Sequence, residues 1–501
     1  MKVIKPTEIQ QEIIEQSGNL VVTASAGTGK TFTLVQKINY EAKNYKGYKT
    51  IAAITFTIKA AKEIKDRLNQ VDTRDFFIGT NNSFAIDEVI RPFLRDVYGA
   101  EYCIKFEIDY NQKFNTIQEG LNFIKKGVLG SYNENKANFV FELALFIVEN
   151  SKACRLYLKS KYRKLYIDEY QDSDKDMHQF FMHLVDNLGI ESFIVGDDKQ
   201  SIYLWRNADP KYFKSIKEKP NFSYRPLLEN HRSCKQIQNY SNLLFEETRN
   251  LYSEVSDLNN IILINHSDWE KQCALLIDPN QNMAILRYKR AEAQNNAEVL
   301  TAEGIDTIFI PLLPVNEITN EYAWLCQEVS KFCKVEHYTV YDVINAAPFD
   351  FYNFNLGKLK KDLIKLKELL RLEMDYKKCL ESIFSIYFGY KIKPVDANRI
   401  WNSVSNDEYT PAFEPEKYKN ISMTFHSAKG LEFDQVIIFA EDYPLNDESS
   451  FYNHYVAVTR AKQRLIIVYD EAKPKSKRFL AKIQETFYPH QLNQVLTCRA
   501  N

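Results

Sequence analysis

The segment ASAGTGKT, Ala24 to Thr31, joins the apolar run NLVVTA to the helical pattern FTLVQKI. Between a strand and a helix, such small residues let successive backbone amides turn inward and cradle phosphates. Lys30 would reach the β- and γ-phosphates of a nucleoside triphosphate, and Thr31 would hold Mg²⁺ through its hydroxyl. Ala24 stands where the strict pattern has glycine. A second segment, KLYIDEYQD (164–172), ends an apolar run on two acids. Asp168 would orient Mg²⁺, and Glu169 would act as base for an attacking water. Hydrolysis also needs cations on the transferring phosphate, often supplied from a second domain. Arg232 in LLENHRSCKQI and Arg460 in YVAVTRAKQRL stand in suitable stretches. A third segment, GDDKQSIYLWRNA (196–208), mixes acids suited to phosphate–magnesium chemistry with aromatics suited to stacking.

These residues need buried strands to position them. Short apolar runs at 19–24, 50–57, 76–80, 164–168 and 192–197 alternate with helical patterns, and a second set follows at 283–288, 306–311, 420–426, 434–440 and 464–469. Such a pattern predicts two α/β units with buried parallel sheets. Helix-rich stretches interrupt them at roughly 85–160 and 345–415. The second stretch includes a basic amphipathic segment, KLKKDLIKLKELLRLEMDYKKCLESIF, read as a helix with a solvated charged face.

Bulk properties narrow the function. A chain of 501 residues has room for more than one large core. With 65 Lys+Arg against 66 Asp+Glu it is no polycation, although a local basic and aromatic groove suffices for single strands. The eight cysteines are scattered without a CxxC pair, which argues against a zinc ribbon and for reduced thiols in the cytoplasm. The start has no apolar signal core, and the longest apolar run, FVFELALFIVEN, is too short to span a bilayer, so no membrane partner is expected. The eight histidines show no HExxH spacing, and no nuclease motif emerges.

Taken in order, the segments resemble the motifs of the superfamily 1 DNA helicases of the UvrD/Rep/PcrA group. PTEIQQEII, ASAGTGKT, ITFTIKAAKEIKDRL, IGTNNSF, DEYQD, VGDDKQSIYLWRNA, ENHRS, MAILRYKRAEAQ, MTFHSAKGLEFDQV and HYVAVTRAKQRL follow one another as that group's motifs do. In that group Ala at position 24 is normal. The resemblance implies two RecA-like P-loop domains with ATP and Mg²⁺ between them and single-stranded DNA across their top. The first would cover 1–84 and 161–225 with a reduced helical insertion at 85–160. The second would cover 226–344 and 416–501, with a reduced insertion at 345–415. By position, Gln10 would read adenine, and Ala24, Ser25, Ala26, Gly27, Thr28, Gly29, Lys30 and Thr31 would surround the phosphates. Gln200 would sense the γ-phosphate, Glu432 would contact the ribose, and Arg232 and Arg460 would be the phosphate-sensing arginines. His231 stands where the group usually stacks a Tyr on adenine. Thr55, Phe56, Thr57, Gly79, Thr80, Tyr203, Trp205, Arg206 and His426 would face DNA. Phe32 replaces the Arg common after GKT, and NNSF replaces an aromatic–His pair.

Length points further. The chain is shorter than the group's motor enzymes and is similar to the helicase-like subunits of Gabija anti-phage defence systems, which work with an OLD-family nuclease carrying a Toprim domain. The expectation is a DNA-dependent ATPase, motor or DNA-end sensor that binds single strands or ends in a hetero-oligomer with that nuclease. The alternative is a stand-alone 3′-to-5′ repair helicase. A binding module with a degenerate ATPase is disfavoured, because Lys30, Asp168, Glu169, Gln200, Arg232 and Arg460 are all present.

Overall fold

Two parallel sheets carry the chain, as the alternation of apolar runs and helical patterns requires. The computed structural model describes residues 5–68, 72–73, 75–134, 137–347 and 355–498. The first sheet is built from β1 (Leu20–Ala24), β2 (Thr50–Thr55) and β3 (Phe77–Thr80). After an insertion containing β4 (Glu107–Phe114) and β5 (Val128–Tyr132), it resumes with β6 (Tyr162–Ile167), β7 (Glu191–Gly196) and β8 (Ser223–Leu227). Its order is β3-β2-β6-β7-β1-β8, all pairs parallel. The central strand β1 is buried along its whole length, as a strand covered on both faces must be. β8 runs two residues past the division expected at 225.

The second sheet holds β9 (Ile261–Asn265), β10 (Met283–Arg287), β11 (Ile308–Phe309), β12 (Asn420–Thr424), β13 (Phe433–Phe439), β14 (Ala461–Tyr469) and β15 (Thr497–Cys498). Its order is β11-β12-β10-β13-β14-β9-β15, again all parallel. Both sheets are of the α/β class, and no helix among the described residues is long and apolar enough to cross a membrane. The eight cysteines are unpaired.

The insertions differ in how they attach. In the first, β4 and β5 form a parallel pair joined by the helix Ile117–Lys125, among helices such as Phe139–Asn150 and Lys152–Lys161. Its Phe141, Leu143 and Ile147 share one core with Val21, Ile54 and Ile167 of the first sheet. The second has a core of its own, and that core begins at Leu313 rather than at 345. The helix Ala323–Lys334 packs on the helices Leu356–Arg371 and Pro394–Ser405, not on the sheet, which moves the expected boundary. Leu356–Arg371 buries Leu359, Leu363, Leu366 and Leu370 and leaves its basic face outward, as its periodicity predicts.

Three helices set up the site. α1 (Glu8–Glu15) opens with a capping box in which Thr7 Oγ1 accepts from Gln10 N and Thr7 N donates to Gln10 Oε1 at 3.0 Å. α2 (Lys30–Asn44) leaves the P-loop, and α3 (Ile58–Arg67) follows β2. The C-terminal carbonyls of α1 would be orphaned in the interior. Lys37 of α2, fully buried, donates to Ile13 O at 3.0 Å, Ile14 O at 3.2 Å and Gln16 O at 2.5 Å. Its charge is balanced by Glu41 at 3.0 Å, which also pairs with Lys164 at 2.9 Å and Arg163 at 3.1 Å.

Replacing Lys37 with Met leaves those carbonyls without donors. The variant is expected to lose about 2–4 kcal/mol of stability in urea unfolding. A loss under about 0.5 kcal/mol would show that the apolar face of α1, Ile13 and Ile14, holds the helix unaided.

Candidate functional site

The phosphate loop is shaped by backbone that only glycine adopts easily. Gly27 and Gly29 have φ of +77° and +79°, and Gly29 forms the N-cap of α2. A Cβ on Gly27 would lie 2.4 Å from Asn230 Oδ1 and 2.7 Å from Arg232 Cβ, so the chain after β8 sits directly against the loop. The His231 amide donates to Gly27 O at 2.9 Å while its ring stays exposed. Asn230 Oδ1 holds that turn by accepting from the amides of Arg232 and Ser233 at 2.8 and 3.0 Å. Ala24, Ser25, Ala26 and Thr28 are buried, and Thr28 Oγ1 donates to Ser25 O at 2.8 Å. Gln10 Nε2 donates to Thr28 O at 3.1 Å, which places the expected base-reading residue against the loop. Lys30 and half-buried Thr31 begin α2, where first-turn amides have no intrahelical acceptor and point to a helix N-terminus suited to anions.

β6 delivers the acids. Lys30 Nζ pairs with Glu169 Oε1 at 3.0 Å, and Gln171 Nε2 holds Glu169 Oε2 at 2.5 Å. Glu169 has a φ of +55°, a conformation an L residue keeps only when its surroundings impose it. The Asp168 carboxylate accepts the Glu169 amide at 2.9 Å. Burial and the neighbouring Glu169 charge push Asp168 up to about 7. The cations Lys30 and Lys429 outweigh burial at Glu169 and hold it at about 2. The donor chemistry fits a divalent cation: a hydroxyl on the first helical turn and a buried carboxylate whose ionised form needs a positive partner.

The second sheet closes the seam. Arg460, 2 % exposed, donates through Nε to Val456 O at 2.9 Å and through Nη1 to Leu431 O at 3.1 Å. Its Nη2 points at Gln200 Oε1, 3.4 Å away. Burial, with Arg232 nearby, lowers its pKa to about 10. Arg232 Nε donates to Glu432 Oε2 at 2.6 Å, and Lys462 reaches Glu432 Oε1 at 2.9 Å. Lys429 Nζ binds Asp172 Oδ2 at 2.6 Å and lies 4.6 Å from the centre of the Tyr203 ring. Asp197, fully buried, takes Lys199 Nζ at 2.8 Å and Gln200 Nε2 at 2.8 Å. Lys429, Asp172, Asp197, Lys199, Asn230 and Tyr455 were not among the expected site residues. All lie inside the quoted motifs; charge or amide type was the available signal for five of them, and Tyr455 carried none.

The stretch 196–208 divides as its composition suggests. Asp197 to Gln200 is buried at the seam, while Trp205 is 60 % exposed with the Arg206 guanidinium 4.4 Å from its ring centre. Trp205 and Arg206 line a groove of about 820 Å³ whose other wall includes Asn82, Tyr110 and Tyr132, outside β3 and on the first insertion. Thr57 caps α3 through its hydroxyl, and Thr80 makes a capping box with Ser83. Gly79 has no room for a side chain, since a Cβ would lie 2.8 Å from the Phe77 ring and from Ser83 Oγ. Phe56 is half-buried against the first core. His426 stacks on Phe425 at 3.8 Å, and burial lowers its pKa to about 4, so it is an uncharged ring at neutral pH. Thr55 departs from expectation: its side chain is fully buried at the end of β2, inside the sheet rather than on its surface. Elsewhere, Glu292, Glu441 and Asp442 converge within ligating distance, but the Arg287 guanidinium already bonds all three at 2.7–2.9 Å.

Comparison with known proteins agrees with this geometry. A family model for an AAA domain matches residues 8–206, and one for the UvrD-like helicase C-terminal domain matches 389–472. The Gabija protein GajB of Bacillus cereus (strain VD045) is 40% identical over 480 residues, covering 93% of this chain and 95% of that protein. The ATP-dependent DNA helicase Rep of Escherichia coli (strain K12) is 26% identical over 296 residues, 49% of this chain and 44% of Rep. The ATP-dependent DNA helicase PcrA of Bacillus subtilis (strain 168) is 26% identical over 292 residues, 48% of this chain and 39% of PcrA.

The raised pKa of Asp168 has a stability consequence. The folded state holds this proton more tightly than the unfolded chain, so the group destabilises the ligand-free fold progressively as pH rises from about 4 to about 7. Asp168→Asn is expected to be more stable than the parent at pH 8, by on the order of 2–4 kcal/mol, with the gap closing towards pH 4. Denaturant melts at the two pH values measure this, and a pH-independent difference would contradict it.

Proposed function

We propose, from the premise that the chain belongs to the family of the Gabija protein GajB, that it is a DNA-dependent ATPase of helicase type. It would hydrolyse ATP on single-stranded DNA or DNA ends and act with an OLD-family Toprim nuclease in anti-phage defence. The observation that carries this reading is the closure of one phosphate loop by cations from both sheets: Lys30 on one side, Arg232 and Arg460 on the other. Such a seam can stabilise charge on a transferring phosphoryl group only while it is shut. Support for the nucleic-acid half comes from Trp205 and Arg206, exposed on the same short stretch that ends the γ-phosphate-facing acids. Aromatic stacking is sequence-tolerant, at about 1–3 kcal/mol per base, as a motor or sensor of arbitrary DNA requires.

Each residue then has a task. Gln10 positions the base, and the amides of Gly27, Gly29, Lys30 and Thr31 cradle the phosphates. Thr31 and Asp168 would hold a Mg²⁺ ion, which neutralises phosphate charge when bound. Lys30, drawn towards phosphate oxygens, releases Glu169, whose basicity rises as its cation leaves; Glu169 then accepts a proton from water. Gln200 and Arg460, already within 3.4 Å of each other, face the departing phosphate together. His231 and Glu432 flank the nucleoside end. The similarity to Rep and PcrA keeps a second reading open, a stand-alone 3′-to-5′ repair helicase. The two readings separate on strong unwinding of long duplex by the chain alone, against turnover that depends on a nuclease subunit.

ATP turnover measured without DNA, with single strands, with blunt duplex and with nicked duplex, each with and without the nuclease, tests the reading directly; no turnover under any condition rejects it. Glu169→Gln is expected to bind ATP as the parent does and to lose at least about 100-fold in kcat. Retained turnover would remove Glu169 as the base. Trp205→Ala is expected to raise the single-strand concentration giving half-maximal stimulation by about 10-fold or more, with DNA-free turnover little changed. Equal loss of both would mean that Trp205 serves packing instead.

A further inference from the structure

One side chain of the second sheet's layer reaches the phosphate loop itself. Tyr455, on the helix Glu448–Val458, is 2 % exposed. Its hydroxyl accepts the amide of Ala26 at 3.3 Å and donates to Asp197 Oδ2 at 3.4 Å. The same Asp197 oxygen accepts from Gln200 Nε2 at 2.8 Å. The other oxygen holds Lys199, whose ammonium lies 5.7 Å from the centre of the Tyr455 ring. Phe245 packs edge-on against that ring at 5.4 Å, which fixes where the hydroxyl points.

We infer that Tyr455 is a positioning residue through which closure of the second sheet onto the first sets the phosphate loop and the Asp197–Gln200 pair for turnover. The argument is geometric. Ala26 precedes the two glycines with left-handed backbone, so a bond on its amide restrains the loop where it leaves β1. That amide is committed to the protein, as is that of Thr28, which donates to Ser25 O at 3.3 Å; the amides of Gly27, Gly29, Lys30 and Thr31 are left for phosphate. Asp197 follows β7 and orients Gln200 through its carboxylate, so a hydroxyl shared between Ala26 and Asp197 ties loop and sensor to one atom of the opposite layer. When the layers part, that atom withdraws, Ala26 loses its acceptor and Asp197 loses a donor. Arg460 lies five residues further along the same segment and meets Gln200 from its other end. Gln200 is thus held at its amide nitrogen by Asp197 of its own stretch and at its oxygen by Arg460, and closure adds the Arg460 contact and the Tyr455 hydroxyl on Asp197. The contribution is distinct from those of Lys30 and the arginines, because the hydroxyl carries no charge and touches only protein.

This inference rests on the ATPase reading above, and the test separates the two. Tyr455→Phe removes one oxygen from a ring held by apolar neighbours. Steady-state ATP turnover of the full chain, with and without single-stranded DNA, is compared with the parent, alongside a thermal melt. The expected result is a kcat on DNA lowered by about 5–20-fold, KM for ATP within about twofold, and an unchanged melt. In a double-substitution cycle, adding Gln200→Ala to Tyr455→Phe should cost less than Gln200→Ala alone costs, because both act through one contact. An unchanged kcat overturns the inference, as does a KM that rises while kcat holds, and as does additivity in the cycle. A lowered melt with equal losses with and without DNA also overturns it, since that is what a packing role gives. A parent chain without ATP turnover rejects the ATPase reading itself.

Discussion

The structure depends on burying charges of both signs at one seam, some paired within the first sheet's elements and others completed only from the second. Lys30, Asp168, Glu169, Asp172, Asp197 and Lys199 belong to the first sheet's loops; Lys429 and Arg460 come from the second. Asp172, pushed up to about 6 by burial, is held by Lys429 across the seam. Buried charges are costly unless paired, so each unsatisfied group becomes a demand on the opposite layer. This is why the phosphate loop, the acids at the end of β6 and the arginine of the second layer occur as one arrangement. Asp168 is the least compensated member of the set: it accepts the Glu169 amide, and the charge of Lys30 acts on it, yet burial and Glu169 still raise its pKa.

Seen this way, the stretch 196–208 is a lever with a buried end and a solvent end. Asp197 and Gln200 sit among the seam's charges, and two short helical turns, Asp198–Gln200 and Leu204–Arg206, lead to Trp205. Lys429 touches both halves, donating to Gln200 O at 3.4 Å and lying 4.6 Å from the centre of the Tyr203 ring. A change in charge at the phosphate end therefore alters what holds the stacking end, over a few residues of backbone. Small displacements propagate here because packed, paired groups have discrete arrangements rather than soft ones.

Much of this was legible in the residues. The glycine loop between a buried strand and a helix has few other uses, and the acid pair ending an apolar run allowed Lys30, Asp168 and Glu169 to be named. What escaped was of three kinds. β8, SYRPL, is an edge strand with Arg and Pro and a largely exposed face, so it lacks the apolar run that marks the buried strands. β15 is two residues long and exists only because β9 offers it an edge. The seam residues Tyr455, Lys429 and Asp197 look ordinary in sequence, since their meaning comes from a partner hundreds of positions away: Tyr455 and Ala26 are 429 residues apart. Thr55 erred the other way, because a residue beside half-buried Phe56 and exposed Thr57 can still complete a buried strand.

The two insertions show how a smaller chain divides labour between stability and reach. The first shares its core with the first sheet, so it cannot swing as a body, and its Tyr110 and Tyr132 are presented to the Trp205 groove as a fixed wall. The second buries Leu359, Leu363 and Leu366 in a core separate from the sheet that bears it. That separate body is nevertheless tied to the first insertion, Glu321 pairing with Arg91 at 3.1 Å and Lys393 with Asp109 at 2.5 Å. The rigid insertion thus sits beside the stacking surface, where geometry must be kept. The second, with a core of its own, meets that rigid insertion through these ion pairs, so a displacement of the second sheet would be passed to the wall of the Trp205 groove.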